Sequence, residues 1–176
     1  MTFTLLTTAC DVDALAQLIN RAYRGSEGSG RWTTEQHLVE GERIQPKQLR
    51  ELLQRNDVEL LAALDEAENP IACISIHYLT EVAEFGTFAV DPQRHGSGLG
   101  KQLLAQAEQH ASRKRQRFQV EVVNQNSALR NFYQRRGYQL TGETMPYPVQ
   151  AGVGLPKIDG LHLQVLQKQA DTEQPC

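Results

Sequence analysis

Three glycines at alternate positions, Gly96, Gly98 and Gly100, are the feature of this sequence that most constrains its fold. They follow an apolar strand-like stretch, 83–90, and precede an apolar stripe at helical spacing that begins at Leu99. Glycine adopts positive φ and lets a ligand approach the backbone closely. The free amides and the dipole at a helix start attract phosphate groups. The segment therefore predicts a strand–loop–helix unit that binds a phosphorylated ligand.

Two common phosphate-binding motifs do not fit these glycines. The dinucleotide fingerprint G-x-G-x-x-G, begun at either of the first two glycines, requires another glycine where the chain has Lys101 or Leu103. A Walker loop that ends at Lys101 requires glycine and a hydroxyl residue where the chain has His95 and Gln102. Both motifs are therefore excluded at named positions.

Helices and strands alternate irregularly along the rest of the chain. Strands are predicted at 2–7, 58–64, 71–79, 83–90, 118–123, 138–141 and 161–167, and helices are predicted to begin near Asp11, Pro46, Leu99 and Ser127. Residues 142–160 hold four glycines and three prolines and are predicted to form a long loop. Antiparallel hairpins followed by a strand–helix–strand unit indicate a mixed α/β (α+β) fold. Because no linker interrupts the pattern, we expect one domain over 1–176.

Composition narrows the functional classes. The net charge of -3 gives no basic field for nucleic acid or for an anionic membrane surface. Cys10, Cys73 and Cys176 are odd in number and far apart, so they predict neither a disulfide framework nor a metal site. The sequence has no apolar run of the roughly 20 residues that span a bilayer. We expect a cytoplasmic protein that binds no metal, nucleic acid or membrane.

The glycine segment resembles the central motif of the GNAT superfamily of acetyl-CoA-dependent N-acetyltransferases. That motif, (Gln/Arg)-x-x-Gly-x-(Gly/Ala), commonly follows Val-x-Pro, and here the two read His95 to Gly100 after Val90-Asp91-Pro92. His95 departs from the usual arginine or glutamine. Downstream, the chain is similar to the family pattern Asn-x-x-(Ala)-x-x-x-Tyr-x-x-x-Gly-(Phe/Tyr), with matches at Asn126, Tyr133, Gly137 and Tyr138. Two motifs in this order are the basis of the resemblance.

The resemblance implies a fold and a cofactor. It implies a mostly antiparallel, twisted sheet of about six or seven strands flanked by helices, with a V-shaped split between strands 83–90 and 118–123. Acetyl-CoA, the implied acetyl donor, would bind a core at about 83–141, and backbone groups near residues 88–90 would pair with its pantetheine arm and help hold the thioester oxygen. The implied contacts are Phe88, Ala89, Val90, His95, Gly96, Ser97, Gly98, Leu99, Gly100, Lys101, Asn126, Arg130 and Tyr133. For Asn126, a helix cap is an equal alternative.

The resemblance also implies catalytic roles. Tyr133 would protonate the coenzyme A sulfur as the general acid; the alternative is a core tyrosine, because it shares an apolar face with Leu129 and Phe132. Glu84 and Glu121 are candidates for the general base, since both lie on strands expected to flank the acetyl group. The alternative for each is a solvated strand position.

The sequence constrains the acceptor of the acetyl group less than it constrains the cofactor. Trp32, Glu35 and Tyr147 lie in segments that resemble the family's acceptor region, and acidic and aromatic side chains suit a cationic amine; the alternative is a surface lid. We expect direct transfer to a primary amine in a ternary complex, with a small cationic or amino-acid-like acceptor. Alternative hypotheses are a protein lysine or N-terminal acetyltransferase and a non-catalytic acyl-CoA-binding sensor. A homodimer is compatible with the resemblance.

Overall fold

A seven-stranded sheet organises the chain in the computed structural model, which describes residues 1–25 and 38–171. Its strands, in spatial order, are β1 (Thr2–Leu5), β3 (Val58–Leu64), β4 (Pro70–Tyr78), β5 (Ala83–Val90), β6 (Arg117–Val123), β9 (His162–Gln169) and β7 (Gln139–Pro146). A separate two-stranded ladder joins β2 (Val39–Glu40) to β8 (Leu155–Pro156). The described helices are α1 (Val12–Arg24), α2 (Pro46–Leu53), α3 (Leu99–Ala111) and α4 (Ser127–Gln134). All neighbours in the sheet are antiparallel except β5 and β6, which confirms the predicted mixed, mostly antiparallel fold.

Helices α1 and α2 cover one face of the sheet. The Asp11 side chain caps α1 by accepting hydrogen bonds from the amides of Asp13 and Ala14 at 3.1 and 3.0 Å. Pro46 occupies the first turn of α2, where its missing amide hydrogen has no cost. Their apolar faces bury against small and aliphatic side chains of β3, β4 and β5, including Leu60, Ala62, Cys73 and Ala89.

Helices α3 and α4 cover the opposite face. Leu103, Leu104 and Ala107 of α3 and Phe132 and Tyr133 of α4 belong to the larger core cluster, together with the inward-facing residues of β4, β5 and β6. α3 ends at Ala111, because the chain tightens there into turns such as that closed by the hydrogen bond from the Lys114 amide to the Ala111 carbonyl at 2.9 Å. Each sheet face therefore carries its own helix pair.

Strands β5 and β6 are joined for only part of their length. Parallel pairing extends from Ala83 and Phe118 to Phe85 and Val120. Beyond that point β5 has a bulge: the register against β4 shifts between Cys73 and Ser75, and Thr87 has a φ of 44°. Such an extra residue bends a strand and increases its local twist. The unpaired ends of the two strands form the predicted split in the sheet.

The predicted loop over 142–160 is partly wrong. β7 continues to Pro146, although Gly142, at a φ of 85°, interrupts its register against β9 between Leu140 and Thr144. A 3₁₀ turn at Val149–Ala151 and strand β8 occupy part of the remainder. The composition suggested a loop, but pairing with β9 and β2 provides hydrogen-bond partners that local sequence does not reveal.

Within residues 1–25 and 38–171, no helix is long and apolar enough to cross a membrane. The longest helices described, α1 and α3, have 13 residues each, against the roughly 20 that a bilayer requires.

Candidate active site

The glycine loop leads directly into the N-terminus of α3. After the 3₁₀ turn at Pro92–Arg94, Gly96 and Gly98 have φ values of 82° and 79°, and a Cβ added at either would meet no atom within 4 Å. The backbone conformation, not lack of space, therefore requires glycine at these positions. Gly98 precedes α3 and provides no side-chain cap. The first amides of an α-helix have no acceptor within the helix, and here the N-cap residue has no side chain that could accept from them. They therefore fit a phosphate or pyrophosphate group.

A cavity of about 430 Å³ lies where β5 and β6 separate. Its floor is formed by side chains of the central strands, and its walls by the ends of α1 and α2, by α4 and by the chain after β7. The residues that line it include Tyr23, Arg43, Arg55, His77, Glu84, Phe88, Glu121, Tyr133, Tyr147, Pro148, Ala151 and Val153. The sheet split and the helix faces together make a pocket of the size that small-molecule sites occupy.

Two carboxylates lie together on the floor of this cavity. Burial, and secondly the neighbouring carboxylate of Glu84, raise the pKa of Glu121 to about 7. Glu84 is held in place because its Oε2 accepts a hydrogen bond from Gln119 Nε2 at 2.8 Å, and Gln119 Oε1 accepts one from Gln167 Nε2 at 2.8 Å. A carboxyl group that titrates near neutral pH is suited to proton abstraction.

Tyr133 borders the cavity from α4. Its side chain is 3% exposed and packs among aromatic rings, with ring centroids 5.3 Å from Tyr138, 5.5 Å from Phe132 and 6.4 Å from Phe88. Burial, followed by the charges of Tyr23 and Glu108, raises the pKa of the Tyr133 phenol well above its usual range. The hydroxyl therefore stays protonated through the physiological range and is available as a hydrogen-bond or proton donor.

The Phe88 amide, at the bulge in β5, donates a hydrogen bond to the Tyr23 hydroxyl at 2.9 Å. Because β5 has left β6 at this point, the donor is not used by the sheet ladder on that side. The GNAT resemblance implies that an amide near residues 88–90 faces the thioester oxygen. Tyr23 is its partner in the structure, so the hydroxyl of Tyr23 marks where an oxygen atom fits.

The chain after β7 closes one side of the cavity. Tyr147 is buried beside Val39, and its hydroxyl donates to the Val153 carbonyl at 3.2 Å. The guanidinium of Arg24 donates to the carbonyls of Gly41 and Val153, and the β2–β8 ladder adds a second connection between these segments. Residues 38–45 and 147–157 therefore form one continuous wall, which we call the strap.

Comparison with family profiles decides the relationship. The profile of the acetyltransferase (GNAT) family matches residues 13–138, which include the glycine loop, both carboxylates and Tyr133. The chain belongs to the GNAT acetyltransferase family. It is therefore an N-acetyltransferase, and its family takes the acetyl group from acetyl-CoA.

Solved structures of GNAT proteins share this fold. The ribosomal-protein alanine N-acetyltransferase of Escherichia coli is 16% identical, with 99% of this chain and 98% of that chain covered and a TM-score of 0.67. The PaiA N-acetyltransferase of Thermoplasma acidophilum, in complex with coenzyme A, is 18% identical, with coverage of 96% and 99% and a TM-score of 0.67. A GNAT acetyltransferase of Elizabethkingia anophelis with acetyl-CoA bound is 15% identical, with coverage of 96% and 97% and a TM-score of 0.65. Comparison with curated protein sequences gave no match.

Several residues implied by the GNAT resemblance have structural partners of their own. Asn126 caps α4 by accepting a hydrogen bond from the Leu129 amide at 3.1 Å, so the capping alternative is observed. Arg130 donates to the Asn124 carbonyl at 3.1 Å and to Gln164 Oε1 at 2.9 Å. Ala89 is fully buried under α1, so only its backbone could contact a cofactor.

The remaining implied residues lie as follows. Val90, at the end of β5, and Leu99, the first residue of α3, are buried in the core, and Gly100 is buried within the first turn of that helix. His95, Ser97 and Lys101 are exposed around the helix start, where Ser97 Oγ donates to the Arg94 carbonyl at 2.6 Å. Trp32 and Glu35 lie outside the described residues. No group of three or more His, Cys, Asp or Glu side chains suited to a metal was found in the part of the chain that is described.

Sequence reasoning missed several residues of the cavity. The sequence pattern gave no indication that Tyr23, Arg43 or Gln119 would line or support a cavity. His77 lies at the rim of the cavity, where its Nε2 is 2.9 Å from Asp57 Oδ2 and 3.0 Å from Arg55 Nη2. The period-two alternation of β5 and β6 could have indicated Gln119, since it is paired in register with Glu84.

Proposed function

We propose that this chain is a single N-acetyltransferase domain that moves the acetyl group of acetyl-CoA directly to the primary amine of a small molecule. The observation that carries the proposal is the convergence of Glu84, Glu121, Tyr133 and the Phe88 segment on one cavity at the split of the sheet. Each of these groups has a role that amine acetylation requires: proton removal, proton donation and oxygen binding. The helix start at Leu99 provides the anion site.

The donor site is built from backbone. The first amides of α3 and the positive-φ glycines Gly96 and Gly98 would hold the pyrophosphate. Because backbone amides supply these contacts, His95 in place of arginine or glutamine is compatible with binding. Acetyl-CoA, when bound, supplies an acetyl group activated as a thioester, and the part of β5 beyond Phe85, which does not pair with β6, is proposed to lie along the pantetheine arm.

Glu121 is proposed as the general base. An amine acceptor reaches the site mostly as an ammonium ion and must lose a proton before it attacks. With a pKa of about 7, the Glu121 carboxylate combines a large ionised fraction near neutral pH with higher basicity than an ordinary glutamate. Glu84, fixed by Gln119, would keep the pKa of Glu121 high and attract the ammonium.

Tyr133 is proposed as the proton donor to the departing sulfur. Its hydroxyl is protonated, and its ring is fixed by the surrounding aromatic side chains. The Phe88 amide is proposed to bind the thioester oxygen at the place that the Tyr23 hydroxyl takes in the structure. These two donors would stabilise the charges that develop on oxygen and sulfur during transfer.

Direct transfer is favoured over a covalent enzyme intermediate by the state of Cys73. This thiol is fully buried, its Sγ lies 3.5 Å from the Thr87 carbonyl, and burial raises its pKa to about 12. A thiol in this state is a poor nucleophile at neutral pH. The amine itself is therefore proposed to attack the thioester in a ternary complex.

A small acceptor is favoured by the strap. Tyr147, Pro148, Ala151 and Val153 of the strap line one side of the cavity. Arg24 and the β2–β8 ladder hold this wall in place. A closed wall of this kind suits a free small molecule better than a lysine or N-terminus on a folded protein.

Calorimetric titration with acetyl-CoA, combined with a coenzyme A release assay over a panel of primary amines, tests the proposal. Saturable binding with release accelerated by at least one small amine is expected. Saturable binding with no amine-dependent release would instead support the acyl-CoA sensor. Absence of binding at high micromolar acetyl-CoA would refute the proposal.

A further inference from the structure

The cavity contains charges of both signs on different elements. Glu84 and Glu121 lie on the strands of its floor, whereas Arg43 reaches it from the segment between β2 and α2. A guanidinium group in the lining disfavours binding of a simple cation, because the positive charges of the ligand and of the arginine repel each other. The position of Arg43 therefore carries information about the acceptor.

Arg43 is held firmly by its surroundings. Asn20 Oδ1 accepts hydrogen bonds from the amides of Arg43 and Ile44 at 2.8 and 3.1 Å, and Asn20 Nδ2 donates to the Ile44 carbonyl at 2.8 Å. The guanidinium carbon of Arg43 lies 4.9 Å from the centre of the Tyr23 ring, within the range of a cation–π contact. The guanidinium group carries five N–H donors, more than a contact with one ring can occupy.

Arg55, the second arginine among the described residues of the cavity, is already paired with a carboxylate. Arg55 donates to both carboxylate oxygens of Asp57, at 2.9 and 2.7 Å, and this bidentate pair lowers the pKa of the Asp57 carboxyl far below its usual range. In contrast, among residues 1–25 and 38–171 no carboxylate forms a salt bridge with Arg43. A half-buried cation without an acidic partner on the described walls fits a negative charge brought by the ligand.

We propose that the acceptor carries an anionic group, a carboxylate or phosphonate, which Arg43 binds while the amine faces Glu84 and Glu121. The acceptor class is therefore an amino acid or a similar zwitterion, and not a polyamine. This inference rests on the proposed acetyl transfer to a small amine. The guanidinium edge gives two parallel N–H donors, which match the two oxygens of a carboxylate.

Matched acceptors and matched variants test the inference. Initial rates of acetylation are measured by mass spectrometry for a panel of amino acids and aminophosphonates, each beside its neutral amide or ester, and for aliphatic diamines. For the wild-type protein we expect kcat/KM for the best anionic acceptor to exceed that of its neutral partner by tenfold to 100-fold, the usual weight of a hydrogen-bonded charge. Arg43→Gln should remove most of this preference, because it lowers kcat/KM for the anionic acceptors and leaves kcat/KM for their neutral partners unchanged. Arg43→Lys, which keeps the positive charge, should restore part of the preference.

Arg50→Gln is the control, since Arg50 is exposed on α2 and does not line the cavity; it should keep the full preference. Acetyl-CoA affinity and thermal unfolding of Arg43→Gln should match those of the wild type, which separates lost recognition from lost folding. Two results would overturn the inference. The first is that the wild type acetylates the neutral partners or the diamines as well as or better than the anionic acceptors; the second is that Arg43→Gln lowers kcat/KM equally for anionic and neutral acceptors. Either result would leave the proposed acetyl transfer intact. Failure of the wild type to bind acetyl-CoA or acetylate any amine would overturn both.

Discussion

Glu121→Gln should stabilise the protein at alkaline pH while it abolishes most of the activity. The pKa of Glu121 is raised from 4.5 to about 7 in the folded protein, by burial and by Glu84, so the folded state holds this proton more tightly than the unfolded state. The contribution to stability is fully present below about pH 4.5 and is lost as the pH rises through 7. Glutamine has nearly the same shape as glutamic acid and does not ionise, so the variant does not lose this stability as the pH rises.

The magnitude follows from the size of the pKa change. At 1.36 kcal/mol for each tenfold change in proton affinity, the upper limit for the wild-type loss is about 3 kcal/mol. Because the side chain is only partly buried, solvent screening reduces the expected difference to about 1–2 kcal/mol. The removal of a general base should lower kcat by roughly 100-fold to 10,000-fold over the same pH range.

Urea unfolding at pH 5, 6, 7 and 8 measures this difference. The free energy of unfolding of Glu121→Gln, relative to wild type, should increase from pH 5 to pH 7 and level off by pH 8. Glu81→Gln, at an exposed position between β4 and β5, should follow the wild-type curve at each pH. A constant difference between Glu121→Gln and wild type across this range would refute the assignment of a raised pKa to Glu121.

Three further predictions concern the same site. Tyr133→Phe should lower kcat by about 100-fold with little change in acetyl-CoA affinity, as measured by steady-state kinetics and calorimetry; unchanged turnover would mean that Tyr133 is structural. Gly98→Ala should cost about 1 kcal/mol of stability through its left-handed backbone and weaken acetyl-CoA binding, whereas Gly142→Ala, with a similar φ and equally open space, should cost as much stability without any change in affinity. Glu84→Gln should lower the pKa of Glu121 and so shift the acidic limb of the kcat/KM profile to lower pH; an unshifted limb would contradict the coupling of the two carboxylates.

Local sequence was sufficient for most of the fold around the cofactor loop. The strands at 58–64 and 83–90 have their predicted bounds, because apolar runs bounded by turn residues define buried strands without help from tertiary contacts. The Asp11 cap and the Pro46 helix start are likewise local signals. The glycine loop was identified for the same reason: positive φ is a property of single positions.

Parts of the cavity could not be predicted, because their contacts connect residues far apart in the chain. The hydrogen bond from the Phe88 amide to Tyr23 spans 65 residues. The position of Arg43 depends on Asn20 and Tyr23 in α1, and the strap depends on the pairing of β2 with β8. Both strands of that ladder contain only two residues, too few for any periodic pattern to be recognised.

Two-substrate kinetics with product identification tests the central claim most directly. Acetyl-CoA and the best amine of the panel are varied against each other, and the acetylated amine and the intact protein are weighed by mass spectrometry. Direct transfer predicts intersecting reciprocal plots, one N-acetyl product per coenzyme A released, and no acetylated protein when the amine is omitted. Parallel plots with an acetyl group on the protein, or coenzyme A release without an N-acetyl product, would contradict it.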